Sequence, residues 1–140
     1  MAIKTYKKDD RTLLSPNFTS REFACRGSGC CDTVMVDEAL VGYLQQIRDY
    51  FGAPVHINSG YRCPKLNRAV GGVARSQHTK GEAADIRTLS NRRWENEQLF
   101  KLIVKMKLPF DQLIDEHGYS WIHVSYSEGK NRRQVLHVRK

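Results

Sequence analysis

Phe110-Asp111-Gln112-Leu113-Ile114-Asp115-Glu116-His117-Gly118-Tyr119-Ser120-Trp121-Ile122-His123-Val124-Ser125-Tyr126 reads as two strands joined by a tight turn, and the architecture is built outward from this hairpin. The expected strands run from Phe110 to Glu116 and from Ser120 to Tyr126. With Gly118-Tyr119 as the turn, His117 faces Ser120, Glu116 faces Trp121 and Ile114 faces His123. Side chains alternate along a strand, so Ile114, Glu116, Trp121 and His123 share one face while Asp115 points to the other. Glu116 and His123 then lie on a diagonal of roughly 7–8 Å, close enough to act on one water between them. A one-residue bulge would put Asp115 there instead.

Upstream, Ser76-Gln77-His78-Thr79-Lys80-Gly81-Glu82-Ala83-Ala84-Asp85-Ile86 offers an imidazole and a carboxylate. With His123 they make a three-ligand set for Zn2+, leaving a fourth position for water, the arrangement of a catalytic rather than a structural zinc. The chemistry that suits these groups is hydrolysis of an amide, with Glu116 as general base and Arg62 binding a substrate carboxylate or the developing oxyanion. Each residue also has a plainer role open to it. His78 could cap a turn, Asp85 could be a buried acceptor, His123 a satisfied core histidine, and Arg62 the partner of a surface carboxylate. His56, His117 and His137 are structural by default, His117 being the nearest of them to the site.

Further out, Asp37 is the expected N-cap of a helix to Phe51, with Leu40, Leu44, Ile47 and Phe51 on one face and Gly52 as its stop. Val55 to Ser59 alternates as a strand, Pro64 to Val70 is a short helix, and Val73 to Lys80 is a loop carrying His78. Glu82 to Arg87 is a strand carrying Asp85. Asn91 caps a second long helix with Leu99, Leu102, Ile103 and Met106 as its stripe, closed by Pro109. Thr19 or Ser20 caps a helical turn through Phe23, a Gly/Cys loop spans Arg26 to Asp32, and Gln134 to Arg139 is an edge strand. These elements predict an α+β domain, an antiparallel sheet with helices packed on one face. One domain of residues 1–140 is expected, with 1–17 an N-terminal extension, 18–126 the core and 127–140 a basic C-terminal strand.

The 140 residues carry 23 Lys and Arg against 15 Asp and Glu, a net charge of +8 that favours anionic partners, including wall polymers. A nucleic-acid partner is not expected: no helix-turn-helix, paired Cys/His finger or aromatic RNA-binding motif occurs, and the basic residues are dispersed. No apolar run is long enough to span a bilayer, and the first ten residues lack the apolar core of a secretory signal. A cytoplasmic, monomeric product is the expectation. Among the four cysteines, Cys25-x4-Cys30-Cys31 lacks Cys-x2-Cys spacing; reduced thiols, disulfides and a small metal site all stay open for these and Cys63.

Ser59-Gly60-Tyr61-Arg62, Ser76-x-His78-x-x-Gly81-x-Ala83-x-Asp85 and Trp121-x-His123-x-Ser125 together resemble the zinc D-Ala-D-Ala carboxypeptidase and L-Ala-D-Glu endopeptidase family, which shares its fold with hedgehog domains. The resemblance covers about Phe18 to Tyr126. It implies that His78, Asp85 and His123 bind zinc, that Glu116 is the acid/base residue, and that Arg62 and Ser76 contact substrate. Several relatives place the catalytic carboxylate three residues before the last histidine, where this chain has Ser120; Glu116 lies on the partner strand. The implied activity is hydrolysis of peptidoglycan stem peptides or cross-links by a phage endolysin that waits in the host cytoplasm and acts at the bacterial wall. The alternative is a catalytically inactive zinc-containing binding module for wall or protein partners.

Overall fold

The computed structural model describes residues 3–27, 32–72, 76–127 and 129–138. Nine strands occur among them: β1 (Ile3–Lys7), β2 (Leu13–Ser15), β3 (Phe18–Thr19), β4 (Thr33–Asp37), β5 (Val55–Ser59), β6 (Ala83–Thr88), β7 (Gln112–Glu116), β8 (Trp121–Ser125) and β9 (Gln134–Val138). Three α-helices accompany them: α1 (Glu38–Phe51), α2 (Pro64–Ala69) and α3 (Arg93–Lys105). The mixed α+β class follows the expectation from sequence.

The main sheet has strand order β5-β6-β8-β7-β9. The pairing of β7 with β8 has the predicted register, Glu116 opposite Trp121 and Ile114 opposite His123. His117 and Ser120 do not pair, because the turn spans four residues. His117, Gly118 and Tyr119 all have positive φ, and Ser120 N–H donates to the Glu116 carbonyl at 3.0 Å.

Two sheet expectations need correction. The sheet is not wholly antiparallel, since β9 runs parallel to β7. Strand β8 ends beside the start of β7, and there Arg133 N–H donates to the Phe110 carbonyl at 2.8 Å and Gln134 N–H to the Asp111 carbonyl at 3.0 Å. β9 therefore begins at that same end. Nor do all the helices lie on one face. α3 packs on β6 and β8, and α1 packs on α3 and β4, but Leu66 of α2 lines the cleft on the other side.

Alternation divides the sheet into a dry face and a chemical face. Ala84 and Ile86 of β6, Leu113 of β7 and Ile122 and Val124 of β8 are fully buried in one cluster with Leu99 and Ile103 of α3 and Leu40, Leu44 and Ile47 of α1. Each such Leu, Ile or Val side chain contributes about 1.5–3 kcal/mol by leaving water. The intervening residues Asp85, Ile114, Glu116, Trp121 and His123 line the cleft.

α1 starts and stops as its sequence dictates. Asp37 accepts from Ala39 N–H at 2.8 Å, and Gly52 closes the helix in the left-handed region at φ 72°. For α3 the N-cap is Arg92, not Asn91. Asn91 instead takes φ 56° and its side-chain oxygen accepts from Asn96 at 3.0 Å. Strands β1 and β4 pair antiparallel, and β2 pairs with β3; none of these four was expected from sequence. Thr19 is the N-cap of a 3-10 turn at Ser20–Phe23, with Glu22 closing a capping box. Much of the Gly/Cys loop, including Cys30 and Cys31, lies outside the described residues.

Candidate metal centre

His78 stands on a 3-10 turn (Gln77–Lys80) between α2 and β6. Ser76 caps the turn, its Oγ accepting from His78 N–H at 3.2 Å. Gly81 ends it at φ 75°, where a Cβ would run into the Met35 carbonyl, so glycine is required twice over. The turn is also tied to β4, through Asp37 N–H donating to the Gly81 carbonyl at 2.9 Å. Asp85 and His123 come from the adjacent central strands β6 and β8, where they are direct register partners.

These three side chains converge. Asp85 Oδ1 lies 3.2 Å from His78 Nε2 and 3.2 Å from His123 Nδ1, and one donor atom from each residue lies within 4.8 Å of the others. His78 Nδ1 sits 2.7 Å from the Gly60 carbonyl. A carbonyl only accepts, so Nδ1 carries a proton; Nε2 faces Asp85, donating to its carboxylate when the ring is fully protonated and offering its lone pair to a metal when it is not. Burial opposes ionisation of Asp85, but the hydrogen bonds and charge of His123 and His78 outweigh it, holding the carboxyl far below the usual carboxylate range. Donors around a tetrahedral zinc with bonds of roughly 2.0–2.1 Å sit roughly 3.3 Å apart. Both nitrogen-to-carboxylate separations are of that size, and two imidazoles with one carboxylate are a donor set that suits the ion.

The cluster lies in a cleft of about 1360 Å³. Glu116, Arg62 and Ser76 all line it, as does His117. Burial pushes the Glu116 carboxyl above its ordinary value, with Asp85 adding to the effect and His123 and His117 opposing it. Asp115 is buried on the opposite face, where His137 Nδ1 lies 3.0 Å from its Oδ2. The sheet thus brings Glu116, not Asp115, to the cleft. Arg62 places Nη2 3.9 Å from Asp85 Oδ2 and donates from Nη1 to Asn67 Oδ1 at 3.3 Å. His117 packs on Trp121 in a tilted arrangement with ring centroids 4.9 Å apart.

Several lining residues carried no signal in the sequence. Lys130, Asn131 and Arg132 reach the cleft from the connection before β9, because Asp111 grips Arg132 at 2.7 and 3.1 Å. Asn67, which holds Arg62 Nη1 from behind the cleft wall, was missed as well; its place in a short helix five residues after Arg62 was its only mark. The Gly60 carbonyl, a backbone group, leaves no mark in residue identity. Cys25 and Cys63 are both buried, with Cys63 N–H 3.5 Å from Cys25 Sγ.

The family model for Peptidase M15 matches residues 16–125. That span contains every residue of the cluster and both strands of the hairpin. No curated protein matches the chain.

Proposed function

Because the chain belongs to the peptidase M15 family, we propose that it is a zinc-dependent peptidase hydrolysing amide bonds in the stem peptides or cross-links of bacterial peptidoglycan, as a D-Ala-D-Ala carboxypeptidase or an endopeptidase. The observation that carries this reading is the His78, Asp85 and His123 donor cluster on the chemical face of the sheet, with Glu116 on the neighbouring strand in the same cleft. M15 peptidases depend on zinc, and this donor set suits the ion.

When bound, zinc supplies Lewis acidity that polarises the scissile carbonyl and makes water a better nucleophile. The chain's own residues do the rest. His78, Asp85 and His123 hold the ion. Glu116 takes a proton from the attacking water and returns it to the leaving amine, a cycle helped by a carboxyl that burial holds above its ordinary value. Arg62 binds a substrate carboxylate or the developing oxyanion. Ser76 fixes the turn that presents His78 and contributes to the substrate wall.

On this reading the protein is a phage endolysin, held in the host cytoplasm until release and then acting at the wall. Its net charge of +8 would keep it near anionic wall polymers. No helix among the described residues is long and apolar enough to cross a membrane. Glu116 in the cleft favours catalysis over an inactive zinc-containing binding module.

Mass spectrometry of fragments released from purified peptidoglycan, with and without a zinc chelator, tests the proposal. Chelator-sensitive release of defined peptides is expected, and their new termini identify the bond. No release by folded, zinc-loaded protein across several wall chemotypes would leave the binding module as the better account.

A further inference from the structure

We propose that Asn67 is a positioning residue: it fixes the Arg62 guanidinium beside the metal centre without cancelling its charge, so that the guanidinium can receive a carboxylate. The inference rests on the reading of Arg62 as a substrate ligand given above.

The Arg62 side chain is only 15 % exposed and its three nitrogens are unequally provided for. Nη1 donates to Asn67 Oδ1 at 3.3 Å. Nη2 lies 3.9 Å from Asp85 Oδ2, beyond hydrogen-bond reach. Nε is buried with no partner among the described residues. A buried donor on a charged group left in that state is costly, and an acceptor with two oxygens matches the fork of a guanidinium. Asp85 does not fill this role, because its Oδ1 is shared between His78 and His123.

Asn67 is 1 % exposed and sits inside α2, where asparagine is a poor helix former. Its placement therefore serves something other than the helix. A neutral amide holds the guanidinium by one hydrogen bond and leaves the positive charge free for an incoming anion; an aspartate at the same point would neutralise it. Gly72 completes the arrangement. Its N–H donates to the Asn67 carbonyl at 2.8 Å. A Cβ on Gly72 would collide with Asn67 Oδ1 and come within 3.1 Å of Arg62 Nη1. The helix, the amide and the bare glycine together hold Arg62 Nη1.

The test follows the Arg62 Nε–H resonance of the zinc-loaded protein by NMR during titration with N-acetyl-D-alanine or with N-acetyl-D-alaninamide. In the unaltered protein the carboxylate should shift this resonance and bind more tightly than the amide, and Arg62→Ala should abolish that preference. Asn67→Leu frees the guanidinium, and the preference should fall roughly tenfold, with the resonance broadened. Asn67→Asp keeps the arginine in place and the resonance sharp, yet should lose the preference because the new charge occupies it. Thermal melting and zinc content show whether each variant is folded; if Asn67→Leu is not, Asn67→Asp alone decides. Preference abolished by Arg62→Ala but kept in the folded Asn67 variants would overturn the positioning role alone. An unaltered protein that binds both probes alike, or neither, would overturn the reading of Arg62 itself.

Discussion

His78 shows how a ligand's chemistry is set by atoms outside it: Gly60 accepts its Nδ1 proton at 2.7 Å, and Ser76 caps the turn beneath it. Asp85 and His123 are brought together by strand register. Removing either should release the metal while leaving the core intact, because their side chains lie on the far face of the sheet from it. Asp85→Ala or His123→Ala should therefore drop zinc content well below one ion per chain, measured by elemental analysis, with little change in far-UV circular dichroism. Glu116→Gln should behave oppositely, keeping its zinc but losing about 10²–10⁴-fold in kcat. An unchanged kcat would remove Glu116 from the mechanism. At the dry end of the molecule, Asp37→Ala deletes the α1 cap and should cost about 1 kcal/mol in denaturant titrations.

Elements were legible in the sequence where a local signal agreed with its surroundings. α1 had a cap, a stripe and a stop, and it runs from Glu38 to Phe51 as those signals require. The β7–β8 register followed from alternation and a glycine-bearing turn, which is why the shared face of Glu116 and His123 could be derived in advance. β1 was not legible, because its residues are nearly all exposed and carry no alternating apolar face. The parallel placement of β9 was not legible either, since it depends on where the preceding strand ends rather than on its own residues. The grouping of His78, Asp85 and His123 was anticipated from residue types and order, whereas Asn67 and the wall at Lys130, Asn131 and Arg132 depend on which distant segments fold against each other. That wall carries a prediction of its own. The hydrogen bond from Arg132 holds the Asp111 carboxyl below its ordinary value. A carboxyl depressed on folding contributes stability that is present above the unfolded pKa and lost as pH falls through the folded one. The melting temperature should therefore drop on acidification below the ordinary aspartate range, and Asp111→Asn should flatten that part of the curve. Gly81→Ala forces a Cβ against Met35 at a left-handed φ, so it should lower both the melting temperature and zinc retention.

Across the whole molecule the sheet acts as a partition, with helices α1 and α3 and the core on one side and the cleft on the other. The core packs on the opposite face of the sheet from the donor cluster, so stripping the ion should leave a folded protein of lower stability. Binding to the native state alone adds about 4 kcal/mol when free zinc exceeds its Kd a thousandfold. Calorimetry should show a chelator-induced fall in melting temperature that added zinc reverses; complete unfolding on chelation would show that the metal, not the core, holds the fold. The bracing of the His78 turn by β4 has a consequence for time rather than energy. Asp37 N–H bonds the Gly81 carbonyl, and β4 is in turn zipped to β1. The turn therefore stays poised between one ion and the next. Loading should then be limited by how fast an incoming ion sheds its water, and stopped-flow zinc uptake should follow a single exponential. Clipping β1 away would slacken the brace, and exchange of the ion would quicken although no ligand had been touched.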